Sequence, residues 1–504
     1  SAVLIENSLL ASGELCYKLN GDQSTIFWTQ TLGEDEMPYP FTNHKQVYST
    51  AALNCAGQPI GESLYTNTPN STDIPPHTYN GGFMCEVCGH VIEDYMEEQD
   101  GHFYLGTADQ LGWFAYMVNK GKTSMNAILT KDIDFSSFNV MIGTNGHDYQ
   151  GTFDGAGHRL TVNIDHQSDG TALFSHIGSK GKVCNLIVDG TICGTTGIGT
   201  FAWESWGTIE NCVSFATIKS TLEDYGNTYA GGLVCASRDN AIFRNCVFAG
   251  SFEAEGSHGF AGLVYFDNGG SHTLENCIFA PRNVNILDSE NHTFDQPTGR
   301  AIIKNCITTY DLGNIYGNSR LVDAETLKSG EICYYLNNGE VVNPVWTQTL
   351  GDDEFPYPFN THHVIYMVDE TTYMEAYDEA SMKNLQNTLY DMETSRIEEM
   401  KIGTTVAEAY VEILETLYNA DNLDDFNAAY KTWQAGRAKI EENAKAYSDY
   451  MAYAEEMKVF IDGNDIQGAA SEKMTSYLMD YREPDEEFPN GSYEYIIDNT
   501  LLDT

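Results

Sequence analysis

Four residues of the 504-residue chain combine side chains and a spacing suited to chemistry: Cys55, His77, Cys85 and Cys88. Cys85 and Cys88 form a Cys-x-x-Cys knuckle with Gly89 behind it, and Cys55 and His77 precede it in the loop-rich stretch "LNCAGQP…PPHTYNGGFMCEVCGHVIE". Three thiolates and one imidazole suit a tetrahedral zinc ion, and a short segment without a core of its own gains stability from such a staple. A Cys85–Cys88 disulfide and plain free thiols are the other states this spacing allows, and His90 is an alternate imidazole. A zinc ion with four protein ligands leaves no open position for water, so its role would be structural.

Two further groups bear on function. Trp203 and Trp206, in "FAWESWG", are candidate ligand-binding residues because an indole face stacks on sugar; packing into a core is the competing role. Asp132, Asp134, Asp154, Asp165 and Asp189 are the acids available for catalysis. A glycosidase needs two carboxylates about 5 to 10 Å apart, and a calcium-dependent lyase needs acids clustered on one face beside a basic residue. No pair recurs at equivalent positions, and Asp154 in "FDGAGH" and Asp189 in "VDGT" read as turn residues. Walker, Rossmann and Gly-x-Ser-x-Gly signatures are absent from the sequence, and no catalytic residue is assigned.

The elements that must position these residues follow from a repeat. Asn185, Asn211, Asn245, Asn276 and Asn305 recur every 26 to 34 residues, and the next position reads Leu186, Cys212, Cys246, Cys277 and Cys306. Short β-prone runs precede each: "TALFSHI", "GTFAWES", "GGLVCAS" and "AGLVYFD". Each unit supplies two or three short strands, and stacked units predict a right-handed parallel β-helix with equivalent residues about 4.8 Å apart. The inward column wants compact apolar side chains, which makes the recurring cysteines a core ladder rather than ligands or nucleophiles. Each Asn fits a turn position, where its amide can bond its own backbone and the Asn of the next coil.

The segments "YQGTFDGAGHRLTVNI", "ALFSHIG…VCNLIVDG" and "GGLVCAS…IFRNCVFAG", with the lead-in "GHFYLGTADQLGWFAYMVNKG", resemble the GLUG-motif repeats of bacterial surface and adhesin-like proteins over about residues 101 to 310. The chain departs from that pattern at Trp203, where the family has small residues. The resemblance implies a β-helical surface protein and no shared catalytic residues. The Cys-x-x-Cys segment in turn resembles a zinc ribbon.

A second duplication flanks the repeat. "SGELCYKLN…FWTQTLGEDEMPYPF" (12–41) returns as "SGEICYYLN…VWTQTLGDDEFPYPF" (329–359). The second copy follows the last coil directly, so the first is expected to follow a coil too, in a polypeptide that continues upstream. Trp28 and Trp346, with their Pro-Tyr-Pro neighbours, read as anchors of a capping hairpin over the open end of the β-helix, with sugar stacking as the alternative role. After Tyr366 the pattern turns helical: Leu385, Leu389 and Met392; Val406, Tyr410, Ile413, Leu414 and Leu417; and Phe426, Tyr430, Trp433, Ile440, Ala444, Tyr447 and Met451 each lie on one face. Asn422, and Thr404 or Thr405 after Gly403, are candidate N-caps.

The expected fold is therefore mainly β: a right-handed parallel β-helix with a small zinc-ribbon-like module and a C-terminal α-helical bundle. Its parts are a β-rich capping repeat (1–49), the ribbon-like module (50–100), the β-helix (101–320), the second capping repeat (321–369), the bundle (370–482) and an extended tail (483–504). A net charge of −47, from 73 acidic and 26 basic residues, repels nucleic acid and anionic lipid. No apolar run is long enough to cross a membrane. The expected role is non-catalytic: a secreted or cell-surface bacterial adhesin-like protein that binds glycan or a host surface protein. The alternatives are a β-helical polysaccharide lyase or glycoside hydrolase, and a structural spacer that presents another domain.

Overall fold

The structure, a computed structural model, describes residues 7–464 except 22–24, 50–51, 57–58, 61–63, 70–73, 167–169, 222–228, 255–258, 268–270, 286–290, 295–300 and 312–316. The tail expected at 483–504 lies outside the described residues. The chain forms two compact units, Ser1–Phe103 with Thr107–Met117, and Tyr104–Gly106 with Val118–Thr504.

A parallel β-solenoid of about six turns dominates the second unit, as the repeat predicts. Its strands stack in strict register: Phe153, Val183, Ile209, Phe243, Leu274 and Ile303 form one inward column, and Phe174, Ala202, Val234 and Val264 another. Cys212, Cys246, Cys277 and Cys306 are fully buried. Each points its thiol at a carbonyl of the coil below, at Val183, Ile209, Phe243 and Leu274. Burial pushes the Cys246 and Cys306 thiols well up.

Why Asn precedes each of them is visible in the backbone. Asn185, Asn211, Asn245, Asn276 and Asn305 all sit at φ of 51 to 53°, the left-handed region that Asn tolerates better than other residues with a side chain. Their amides form a chain between coils: Asn211 donates to Asn185 at 3.0 Å, Asn245 to Asn211 at 2.9 Å, Asn276 to Asn245 at 3.1 Å and Asn305 to Asn276 at 3.3 Å. Asn318 extends the ladder at one end, and the Asp154 carboxylate accepts from Asn185 at the other.

The duplicated segments adopt one fold twice. Each has two short helices (Asn7–Ala11 and Glu14–Asn20; Ala324–Lys328 and Glu331–Leu336), a bridge (Thr29 with Tyr39; Thr347 with Tyr357) and a two-stranded antiparallel pair. The polar skeleton is the same in both. Asn20 bonds both the amide and the carbonyl of Trp28, as Asn337 does for Trp346. His44 and His362 pair with Asp35 and Asp353 and stack on Tyr39 and Tyr357.

The second module does not form a β-rich cap over the solenoid end. The modules are mixed helix and strand, and the second lies along the solenoid's flank. Outward residues of successive coils, Val213, Phe215, Val247, Ala249, Ile278 and Ile307, join Ile332, Leu336, Trp346, Phe355 and Phe359 in one buried cluster. The reason is alternation. Cys246 and Phe248 point inward, so Val247 and Ala249 must point out, and an apolar outer row needs a cover. Arg159 and Arg282 place their guanidinium groups 4.9 and 4.8 Å from the Phe215 ring. Burial pushes the Tyr357 hydroxyl up to about 12; the Asp353 carboxylate adds to the rise, while Arg159 and Arg282 oppose it.

Three helices follow among the described residues, Glu379–Glu399, Thr404–Tyr418 and Leu423–Gly463. Asn422 caps the last by accepting from the Asp425 amide. Phe426, Tyr430 and Trp433 are core, as their spacing predicts, and they pack on the strand pair of the second module, with Tyr430 donating to the Met367 carbonyl.

Candidate metal centre and solenoid surface

Two loops build the metal cluster in the first unit. Around the knuckle, the Cys85 amide donates to the His90 carbonyl and the Gly89 amide returns to the Cys85 carbonyl, both at 2.8 Å. Gly89 takes φ +72°, so the reversal falls where a β-carbon would strain it. This turn brings Cys85 and Cys88 to one side. The preceding loop delivers Cys55, with its sulfur 3.4 Å from Cys85, and His77, with Nδ1 3.2 Å from the Cys88 sulfur.

The four ligand atoms lie within 4.8 Å of one another, so Cys55, His77, Cys85 and Cys88 could hold a metal ion. Ligands about 2.3 Å from a tetrahedral zinc stand about 3.8 Å apart, the scale of this cluster. His90 is not in the set: it stacks on His77 at 4.2 Å and bonds the Tyr79 hydroxyl through Nδ1. Burial raises the Cys85 thiol, but the amides of Cys88, Val87 and Thr78 and the Cys55 thiol outweigh it and bring it down to about 5. Cys55 goes the other way, to about 12, because Cys88 bonds its protonated form, with burial and Cys85 adding to the rise. All twelve cysteines are free thiols, so the Cys85–Cys88 disulfide is not formed.

Trp203 and Trp206 fall on neighbouring positions of one coil of the solenoid, both half-buried. Trp203 lies flat against two glycines: a β-carbon on Gly170 would come within 2.1 Å of its ring, and one on Gly197 within 2.4 Å. Trp206 has the Arg238 guanidinium 5.3 Å from its ring. The His176 ring packs near both indoles, 4.9 Å from Trp203 and 6.2 Å from Trp206. Beside them the buried Glu204 pairs with Arg238 at 2.6 Å. No sequence signal joined His176, Glu204 and Arg238, which lie 28 to 62 residues apart and meet only through coil stacking.

The acids singled out in the sequence are engaged elsewhere. Asp189 pairs with Arg159 at 2.6 Å, Asp132 accepts from the Arg159 amide, and Asp134 closes a turn on Ser136. Lys182 with Glu210, and Arg244 with Glu275, bridge adjacent coils in the same manner. Among the described residues, the cysteine–histidine cluster is the one His/Cys/Asp/Glu group with metal-binding geometry. The chain matches no protein-family model and no curated protein.

Proposed function

We propose that the chain is a non-catalytic binding segment of a bacterial surface or secreted protein, engaging glycan or a host surface protein along its solenoid. The resemblance to GLUG-motif surface proteins points the same way. The observation that carries this reading is the platform at Trp203 and Trp206. Of the two half-buried indoles, Trp203 lies against Gly170 and Gly197 and Trp206 against the Arg238 guanidinium, with His176 near both. Pyranose rings offer an apolar face to such a ring and hydroxyl groups to the flanking charges. Carboxylates tied into inter-coil ion pairs favour binding over hydrolysis or elimination.

The test is an array of mucin, host and plant glycans probed with the purified protein, with released reducing or unsaturated sugar ends followed in parallel. Binding that Trp206→Ala weakens, without product, supports the reading. Product release favours a lyase or hydrolase. Silence in both channels favours a spacer.

Zinc at Cys55, His77, Cys85 and Cys88 is the second part of the proposal. Three sulfurs and one imidazole, one thiol already poised as thiolate, are the donor set zinc prefers. The role is structural, since the four protein ligands complete a tetrahedron.

A further inference from the structure

The two modules share a fold but not a fate for their apolar face. In the second copy Phe355 and Phe359 are 3% and 7% exposed, Ile332 and Trp346 are fully buried, and all four lie against the solenoid flank. The corresponding residues of the first copy remain apolar: Met37, Phe41, Leu15 and Trp28. There Met37 is 48% and Phe41 61% exposed, and Leu15 and Trp28 are half-buried. Leu19, the counterpart of the buried Leu336, is exposed as well.

The loops around this face behave alike. In the second copy, Pro344, Val345, Pro358 and Phe359 wall a cleft whose other side is the Asn ladder at Asn185 and Asn211. In the first copy, the matching Ile26, Phe27, Pro40 and Phe41 line an open groove. A surface that keeps five large apolar side chains at docking positions, on a skeleton of unchanged hydrogen bonds, is shaped for a partner. The second copy shows what that partner looks like: an outward row of Val, Ile and Phe between stacked coils, with Arg159 and Arg282 against the Phe215 ring, under a module that carries the acidic turn Asp352-Asp353-Glu354. The first copy keeps that acidic turn as Glu34-Asp35-Glu36, opposite in charge to such arginines.

We propose that the first module is a docking element for the outer flank of a second β-solenoid of the same coil type, one whose flank its own module does not close. The flank in this chain is not that partner, because the second module already covers it. The modules are then interchangeable clamps that tie β-solenoids together through one repeated interface.

The test uses full-length chains. In one, Phe355→Asp and Phe359→Asp open the flank, and Met37→Asp and Phe41→Asp disable that chain's own first module. Mixed with the unaltered protein, this variant is expected to form a one-to-one complex in sedimentation velocity. The complex should be lost when the partner also carries Met37→Asp and Phe41→Asp. No complex with a variant of native circular dichroism overturns the proposal, as does a complex that survives those substitutions.

Should the opened variant not fold, a graft decides. Residues 329–359 of the full chain are replaced by residues 12–41. A thermal midpoint close to that of the unaltered protein, lowered by Asp at the grafted Phe41 position, supports docking competence. A graft as unstable as its own Asp variant overturns it.

Discussion

Phe215, on the outer face of a solenoid coil, and Phe355, on the second module, meet with ring centroids 5.8 Å apart and an interplanar angle of 38°. This contact joins two residues 140 apart in sequence and makes the module and the coil parts of one core. It also explains why a solenoid can afford an apolar outer row without a sticky edge: the row is covered within the same chain.

Phe355→Ala is therefore expected to destabilise the second unit by about 3 kcal/mol, the usual cost of deleting a buried phenyl group. Met37→Ala, the matching change in the first module, removes a half-exposed side chain and is expected to stay within about 0.5 kcal/mol. Urea denaturation of both full-length variants checks the contrast. Equal effects would mean that the two faces are equally covered.

The Asn ladder makes a separate prediction. Asn245 holds φ of 52°, donates to Asn211 and accepts from Asn276. Asn245→Ala loses both bonds and forces alanine into the left-handed region, which together cost about 2 to 3 kcal/mol. Asn245→Gly loses the bonds but keeps the backbone at ease, so it is expected to cost about 1 kcal/mol less. Thermal unfolding of the pair separates amide stacking from backbone conformation. If the two substitutions are equal, φ contributes nothing.

The solenoid was legible because its signal is periodic. Asn-Cys recurs at one point of four successive coils, and the same two residues serve the turn and the first inward position. Asn318 escaped notice because Ser319 follows it in place of cysteine. The cysteine–histidine cluster was legible too, since Cys-x-x-Cys fixes half of it locally and Cys55 is the one other cysteine between Cys16 and Cys184. The position of the second module was not. Val247 and Ala249 look like ordinary strand residues, and only three-dimensional register shows that they form an outer row with the neighbouring coils. His176, Glu204 and Arg238 were hidden for the same reason: each lies on a different coil from at least one of its partners.

Metal content tests the cysteine–histidine cluster directly. Purified protein is expected to carry about one zinc per chain by elemental analysis. Cys88→Ser should lower that occupancy strongly, because it removes the sulfur nearest His77. Cys246→Ser, in the solenoid ladder, should leave occupancy unchanged. Chelation should make the segment around 74–100 sensitive to protease while the solenoid keeps its strand signal. Stoichiometric metal that survives Cys88→Ser would place the ion elsewhere.

His176 gives the protein a predictable response to acid. Burial holds its imidazole below the usual range; the carboxylates of Asp148 and Glu204 pull the other way, and the Arg238 guanidinium adds to the lowering. The native protein therefore takes up a proton here less readily than the unfolded chain, whose histidine titrates near pH ~6.5. By linkage, the stability tied to a neutral His176 is complete above that value and is lost as pH falls through it toward the depressed native pKa. His176→Gln keeps a polar group beside Ser175 but cannot be protonated. The advantage in thermal midpoint of the unaltered protein over this variant is expected to shrink between about pH 7 and pH 5. Any acid loss common to both proteins belongs to other groups. A difference independent of pH would show that His176 is protonated with equal ease in the folded and unfolded chains, and that its burial carries no cost for the charged form.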